Sequence, residues 1–267
     1  MPIKTKISSC KKLRQEKMSN DRIQREKDFH DNLFGDESED RSGSEKYYVI
    51  MDSAESAFGS MIEQSCRGKR LLEFGCGVGN DSVKWLGMGA ILTGIDISEE
   101  GVRVAREQIE KTDFTASFYA MNAEATEFKD KSFDMVIGTA IIHHLDILKS
   151  YEEIARLLDV GGRAIFLEPL GHNPLINLYR RLTPSLRTAD EHPLLQKDIL
   201  LAEKYFERVS GKYYYLFALF AVPFSNMFFF KGLLRFLEGM DNALMRLFPF
   251  LQKYAWYMIL DLQNPKK

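Results

Sequence analysis

The hydrophobic pattern changes character three times along the chain. Residues 21–34 (DRIQREKDFHDNLF) set Ile23, Phe29 and Phe34 among charges, a faint helical signal. Residues 46–66 carry Tyr48, Met51, Ala54, Phe58 and Met61 near helical spacing and predict a second helix. Short apolar runs then alternate with helical ones. They predict strands over Arg70–Gly75, Ala90–Asp96, Ala116–Met121, Phe133–Gly138 and Arg163–Glu168. The intervening helices are expected over Asp81–Leu86, Ser98–Glu110 and Leu148–Leu158, with the Gly161-Gly162 pair ending the last of them and turning into the fifth strand. Short apolar strands separated by helices imply an α/β fold, a doubly wound parallel sheet covered on both faces. After Glu168 the pattern is irregular to about Leu194. Aromatic-rich strands near Phe206–Phe217 and Tyr254–Leu262 are expected to flank a helix near Lys231–Leu247.

One stretch, Tyr213–Phe230, has no charged residue over 18 positions, which just reaches the length of a membrane span. Pro223, Ser225 and Asn226 interrupt it, so it reads better as a strand with its exit loop, followed by an aromatic helix. Composition adds a related asymmetry. Of 32 aromatic residues (19 Phe, 11 Tyr, 2 Trp), 17 fall within 205–267. The 36 Lys and Arg against 38 Asp and Glu give a net charge of −2, which offers no electrostatic reason to expect nucleic-acid binding. Cys10, Cys66 and Cys76 are too few and too odd for a disulfide framework, so reduced thiols in a cytoplasmic protein are expected. The amino-terminal residues are Lys-rich without an apolar run, and 35–45 (GDESEDRSGSE) are acidic and small. Residues 1–45 are therefore read as a tail with a weak helix, and 46–267 as a single domain of ample core.

The chemistry concentrates in Leu71-Leu72-Glu73-Phe74-Gly75-Cys76-Gly77-Val78-Gly79-Asn80-Asp81. Apolar residues lead into three spaced glycines and a helix follows, so the backbone turns tightly and offers free N–H groups to a ligand. The second strand ends on Asp96, 21 residues after Gly75, where a carboxylate suits ribose hydroxyls. Together they predict an adenosine-containing ligand at the carboxyl edge of the sheet. The glycines fall as G-x-G-x-G rather than G-x-G-x-x-G, and Glu73 would repel a pyrophosphate but attract an ammonium group. A cationic amino-acid ligand is thereby favoured over a dinucleotide.

Four segments in order, E-F-G-C-G-V-G-N, G-I-D-I-S, F-D-M-V-I-G and L-D-V-G-G-R-A-I-F-L-E-P, resemble class I S-adenosylmethionine-dependent methyltransferases over residues 46–170. The resemblance implies a seven-stranded, mostly parallel sheet of order 3-2-1-4-5-7-6 with strand 7 antiparallel, N-terminal lid helices that include Phe29-His30, a helical insert after strand 5, and S-adenosyl-L-methionine as cofactor. By matching position, Glu73 and the loop Gly75, Gly77, Gly79, with Cys76 packing inside it, would hold the methionine portion. Asp96 would hold the ribose and Ile97 pack against adenine. Asn122 stands where the family commonly has Asp; its carbonyl oxygen keeps an acceptor for the adenine amino group, with Ala123 beside it. Thr139 and Ala140 would border the sulfur.

A methyl acceptor with a hydroxyl or amine benefits from a base. His144 and His143, just after the fourth strand, are the first candidates, since imidazole titrates near neutral pH. The insert after the fifth strand offers His172 and His192 as alternatives. In that insert Arg180 and Arg187 either pair with Asp190 and Glu191 to fasten the loop or meet an acidic group on the acceptor. No Asn/Asp-Pro-Pro-aromatic motif follows the fourth strand and no Pro-Cys pair is present, so DNA is not the expected acceptor. A small, lipophilic acceptor methylated at oxygen is the leading expectation, with no metal. The alternatives are a membrane lipid or prenylated quinone reached through peripheral membrane contact of 213–250, and a non-catalytic cofactor-binding regulator.

Overall fold

The computed structural model of the protein describes residues 20–34, 49–184 and 191–266. Seven strands, β1 (Arg70–Phe74), β2 (Ile91–Asp96), β3 (Ser117–Ala120), β4 (Phe133–Thr139), β5 (Leu158–Pro169), β6 (Phe206–Tyr214) and β7 (Tyr257–Pro265), form one sheet of order β3-β2-β1-β4-β5-β7-β6. The first five pair in parallel, and β7 lies antiparallel between β5 and β6. This is the strand order that the family resemblance implies.

The helices are α1 (20–34), α2 (Asp52–Cys66), α3 (Ser82–Gly87), α4 (Glu99–Glu110), α5 (Ile147–Leu157), α6 (Pro174–Leu182), α7 (Gln196–Leu201) and α8 (Phe230–Leu247). Three starts are set by side-chain caps that satisfy orphan amides. Ser98 Oγ accepts from Gly101 N, Asp146 Oδ1 from Leu148 N and Lys149 N, and Asn173 Oδ1 from Leu175 N and Ile176 N. The two-residue period of β1 divides the core. Leu71 joins Phe58, Trp85 and Val102 on one face, while Leu72 and Phe74 join Tyr151, Ile154 and Phe166 on the other.

Two boundaries differ from expectation. The Gly161-Gly162 pair does not end a helix. α5 stops at Leu157, Leu158 already pairs with Phe133, and the next aligned pair is Met135 with Arg163. The residues between form a bulge inside β5, with Gly161 at φ +75° and Val160 turned to solvent. The uncharged stretch is also less of a strand than expected. β6 ends at Tyr214, a 3-10 segment follows over Ala218–Phe224, and a second one over Pro249–Tyr254 leads into β7. No helix among the described residues is long and apolar enough to cross a membrane.

Pro169 and Tyr214 are both register partners of Tyr257. The whole connection 215–256 therefore leaves the sheet at the edge where the parallel strands end. Asp241, buried in this connection, accepts from Leu216 N, Phe217 N and Ala218 N and fixes the turn out of β6. Burial raises its carboxyl above the ordinary range, against the pull of these amides. The residues 1–19 and 35–48, including most of the expected tail and linker, lie outside the described residues.

Candidate cofactor and active site

The carboxyl ends of β1, β2 and β4 meet where the strand order reverses, the usual ligand crevice of such sheets. There they open into a cavity of about 240 Å³ roofed by α1. Ile23, Glu26, His30, Leu33 and Phe34 face it at helical spacing, so one side of α1 is the lid. Lid and sheet are tied at several points. Arg22 donates to Glu124 and, at 2.7 Å, to the His144 carbonyl oxygen. Lys27 meets Glu99 at 2.5 Å, and Asp31 Oδ1 accepts from Ser98 Oγ at 2.6 Å.

Gly75 (φ +68°) and Gly77 (φ +50°) line the cavity in the left-handed region, where L side chains are strained. A Cβ on Gly77 would stand 3.2 Å from the Phe34 ring, so the bare backbone is also the seat of the lid. Asp96 faces the same cavity. Its Oδ2 accepts from Gly77 N at 2.8 Å and its Oδ1 from Ser98 N at 2.9 Å, which fastens the glycine loop to the end of β2. Burial raises its carboxyl above the ordinary value, with the two amides opposing. Ile97, Asn122, Ala123 and Thr139 line the wall as well. Asn122 Oδ1 accepts from Glu124 N at 3.0 Å. Ala140, the next residue after β4, has φ 52°, a strained geometry for a residue with a Cβ, and also borders the cavity.

Glu73, Cys76 and Gly79 do not reach the cavity wall. Strand alternation sends Glu73 to the Leu71 face, where Oε2 accepts from Ser82 Oγ at 2.5 Å and Oε1 from Trp85 Nε1 at 3.0 Å. Cys76 is buried, and Gly79 packs against Ala105 of α4. Burial lifts the Glu73 carboxyl to about 7, only partly offset by its two donors. A raised folded value means that stability from this group is complete below its ordinary value near 4.5 and is lost as pH rises through about 7. The loss is about 3 kcal/mol. Thermal unfolding of the ligand-free protein should therefore show a midpoint falling between pH 5 and 8, and Glu73→Gln should flatten that slope. Identical slopes in the two proteins would remove Glu73 as its source.

Of the four candidate histidines, only His144 lines the cavity. Its Nδ1 lies 3.2 Å from Glu26 Oε2. Burial pushes its pKa down, but Glu26 and the nearby Glu191 and Glu168 outweigh that and hold it above the ordinary value. His143 lies behind it, with ring centroids 4.2 Å apart. His143 Nδ1 is 2.8 Å from Glu168 Oε2, and Glu168 Oε1 accepts from Ile141 N and Ile142 N. Burial lowers the His143 pKa despite Glu168, so the ring is neutral, with Nδ1–H donating to Glu168 and Nε2 turned toward Glu191 at 3.8 Å. His172 Nε2 accepts from Gln196 N at 3.4 Å, and His192 is exposed and contributes its backbone N to the His143 carbonyl. Arg180 donates to the Leu170 carbonyl and to Asn177, fastening α6 to β5; Arg187 and Asp190 lie outside the described residues.

No motif in the sequence marks Arg22, Glu26 or Glu168 as site residues, whereas His30 falls in the expected lid. Glu168 carried one signal, an acid closing an otherwise apolar strand. The lid residues carried little, because their stripe mixes polar and apolar side chains. Glu26, His30 and His144 each bring a ligand atom within 4.8 Å of the others, as do His143, His144 and Glu191, a spacing that a metal could use. These same atoms are arranged as histidine–carboxylate pairs.

The donor set fits a nucleoside: Asp96 at the end of β2 and Asn122 in the loop after β3, apolar Ile97 and Ala123, and a glycine cradle that a Cβ would fill. Sheet order and cradle define the class I S-adenosylmethionine-dependent methyltransferase fold. Residues 72–166 match the family described as methyltransferase domain. It is similar to the O-methyltransferase cnsE of Penicillium expansum, 29% identical over 163 residues, covering 57% of this chain and 59% of the relative. It is also similar to the ubiquinone biosynthesis O-methyltransferase of Sinorhizobium fredii, 34% identical over 100 residues, covering 37% and 40%. The matches thus span about half the length of these curated relatives. Among solved structures, phosphoethanolamine N-methyltransferase 2 of Haemonchus contortus, in complex with S-adenosyl-L-methionine, superposes with a TM-score of 0.61 at 18% identity, covering 89% of this chain and 60% of the other.

Proposed function

We propose that the protein transfers a methyl group from S-adenosyl-L-methionine to an oxygen of a small, apolar acceptor. One observation carries the reading: a single cavity under α1 joins the Asp96–Asn122 cradle to His144. Both curated relatives are named as O-methyltransferases, which supports oxygen as the acceptor atom. The relative named for ubiquinone biosynthesis supports a lipophilic acceptor.

The cofactor, when bound, supplies a methyl group already activated on a sulfonium. Asp96 holds the ribose hydroxyls with the lone pairs its two amides leave over. Ile97 and Ala123 pack against the adenine, and Asn122 accepts from its amino group. Gly75, Gly77 and Thr139 shape the wall beside the methionine portion. The α1 roof excludes water and holds the acceptor in line. His144 Nε2 takes the acceptor hydroxyl proton, and Glu26 beside Nδ1 stabilises the imidazolium. His143, fixed by Glu168, buttresses the His144 ring.

The direct test is mass spectrometry of a metabolite extract incubated with the protein and methyl-labelled S-adenosylmethionine, in which a new labelled ether or ester is the expected product. His144→Ala should then lower turnover by about 10²-fold or more while calorimetry shows the same cofactor affinity. Equal turnover would exclude His144 as base. In the wild type, activity should rise with pH through a value above the ordinary 6.5 of histidine, because the base must be neutral and its pKa is raised. Glu26→Gln removes the carboxylate that raises it, so the rising limb should move to lower pH. A limb that stays in place would assign it to another group.

A further inference from the structure

We infer that the connection between β6 and β7 is a docking surface for an anionic lipid bilayer. Among the described residues, nine of the 19 exposed large apolar side chains fall within this one connection. Phe228 is 100% exposed, Leu247 71%, Phe236 68% and Phe250 65%. Phe220, Phe224, Met227, Phe229 and Phe248 are exposed around them. Scattered apolar residues need no explanation, but a concentrated set marks an interaction site.

The geometry is that of an interfacial helix. At 100° per residue, Phe236, Ala243 and Leu247 of α8 fall on one line of the helix surface. Phe228 and Phe229 pack edge to face before its start, and Phe248 and Phe250 pack together after its end. The charges decide the partner. Every charged side chain that this connection exposes is basic: Lys231, Arg235 and Arg246. Arg235 and Arg246 lie on one flank of the apolar line, with Lys231 further round the same side. Both acids are turned inward. Glu238 accepts from Ser53 Oγ at 2.6 Å, and Asp241 is buried on the amides of 216–218. An apolar line flanked only by cations matches acyl chains beneath anionic headgroups.

The placement has a consequence. The connection leaves the sheet at the same edge as the cavity, since Tyr214 and Pro169 both register with Tyr257. Docking there would bring the methyl-transfer site to the depth at which a lipophilic acceptor partitions.

Vesicle flotation of the full chain tests this without cofactor or acceptor, so its outcome is independent of the methyl-transfer reading. Binding is expected to vesicles of phosphatidylcholine with phosphatidylglycerol, and at least tenfold weaker binding to phosphatidylcholine alone. The triple change Lys231→Ser, Arg235→Ser, Arg246→Ser should weaken binding to the anionic vesicles by about 100-fold. Phe228→Ser with Phe250→Ser should weaken it by at least tenfold, with cofactor affinity unchanged as the check on folding. No binding to either vesicle, or binding that these variants leave intact, would overturn the proposal. So would sedimentation showing that the wild type forms a dimer which Phe228→Ser with Phe250→Ser dissolves, since the surface would then belong to a second copy of the chain.

Discussion

Glu168→Ala is expected to cost about 3 kcal/mol of stability or more, because it strands three buried donors. The carboxylate accepts from Ile141 N, Ile142 N and His143 Nδ1. Alanine would leave all three donors without an acceptor in a site where Glu168 itself has no exposure. Each unmet donor costs about 1–3 kcal/mol. Against a total of about 5–15 kcal/mol for a domain, such a loss is visible directly in urea unfolding. Glu168→Gln separates structure from chemistry. Its carbonyl oxygen can still accept from the two backbone amides, but its NH₂ faces His143 Nδ1 and forces the opposite tautomer. Stability should be largely retained while turnover falls. A loss under 1 kcal/mol in Glu168→Ala would mean that the loop after β4 is held by something else.

Asp96→Ala should weaken S-adenosylmethionine binding at least tenfold, a loss of about 1.4 kcal/mol or more. Two effects act together. The ribose hydroxyls lose a charge-assisted acceptor, which is worth about 1.5–3 kcal/mol. Gly77 N and Ser98 N lose theirs too, so the glycine loop is unhooked from the end of β2. Asp96→Asn keeps one acceptor for those two amides and should fall between the wild type and alanine. Isothermal calorimetry distinguishes the three, and an unchanged Kd in Asp96→Ala would refute the ribose assignment.

The two residues illustrate how differently site chemistry is written in a chain. Asp96 was legible because it closes a strand at a fixed distance from a glycine loop, both within one local unit. Glu168 also closes a strand, but its partners come from the loop after β4, 25 to 27 residues away. Glu73 is the converse case. Its position in the motif was plain, yet strand alternation turns it toward Ser82 and Trp85 and away from the cavity. His144 and His143 led His172 and His192 as candidates, and the structure places His144 of the four at the cavity wall.

What the sequence by itself determined is local and periodic: the alternation of strands and helices, the glycine turn, Asp96, and the motif set that carries the family. Period two and period 3.6 are properties of neighbouring residues, so they survive in one dimension. What only the tertiary structure decided is long-range. It decided that α1 roofs the cavity, that Glu26 faces His144, and that Gly161 bulges within β5. It also decided which aromatics of the last 63 residues face inward and which face out. Those outcomes depend on which surfaces are brought together by the sheet, and a lid helix whose inner face mixes Glu26 and His30 with Ile23 and Phe34 gives no hydrophobic period from which to read them.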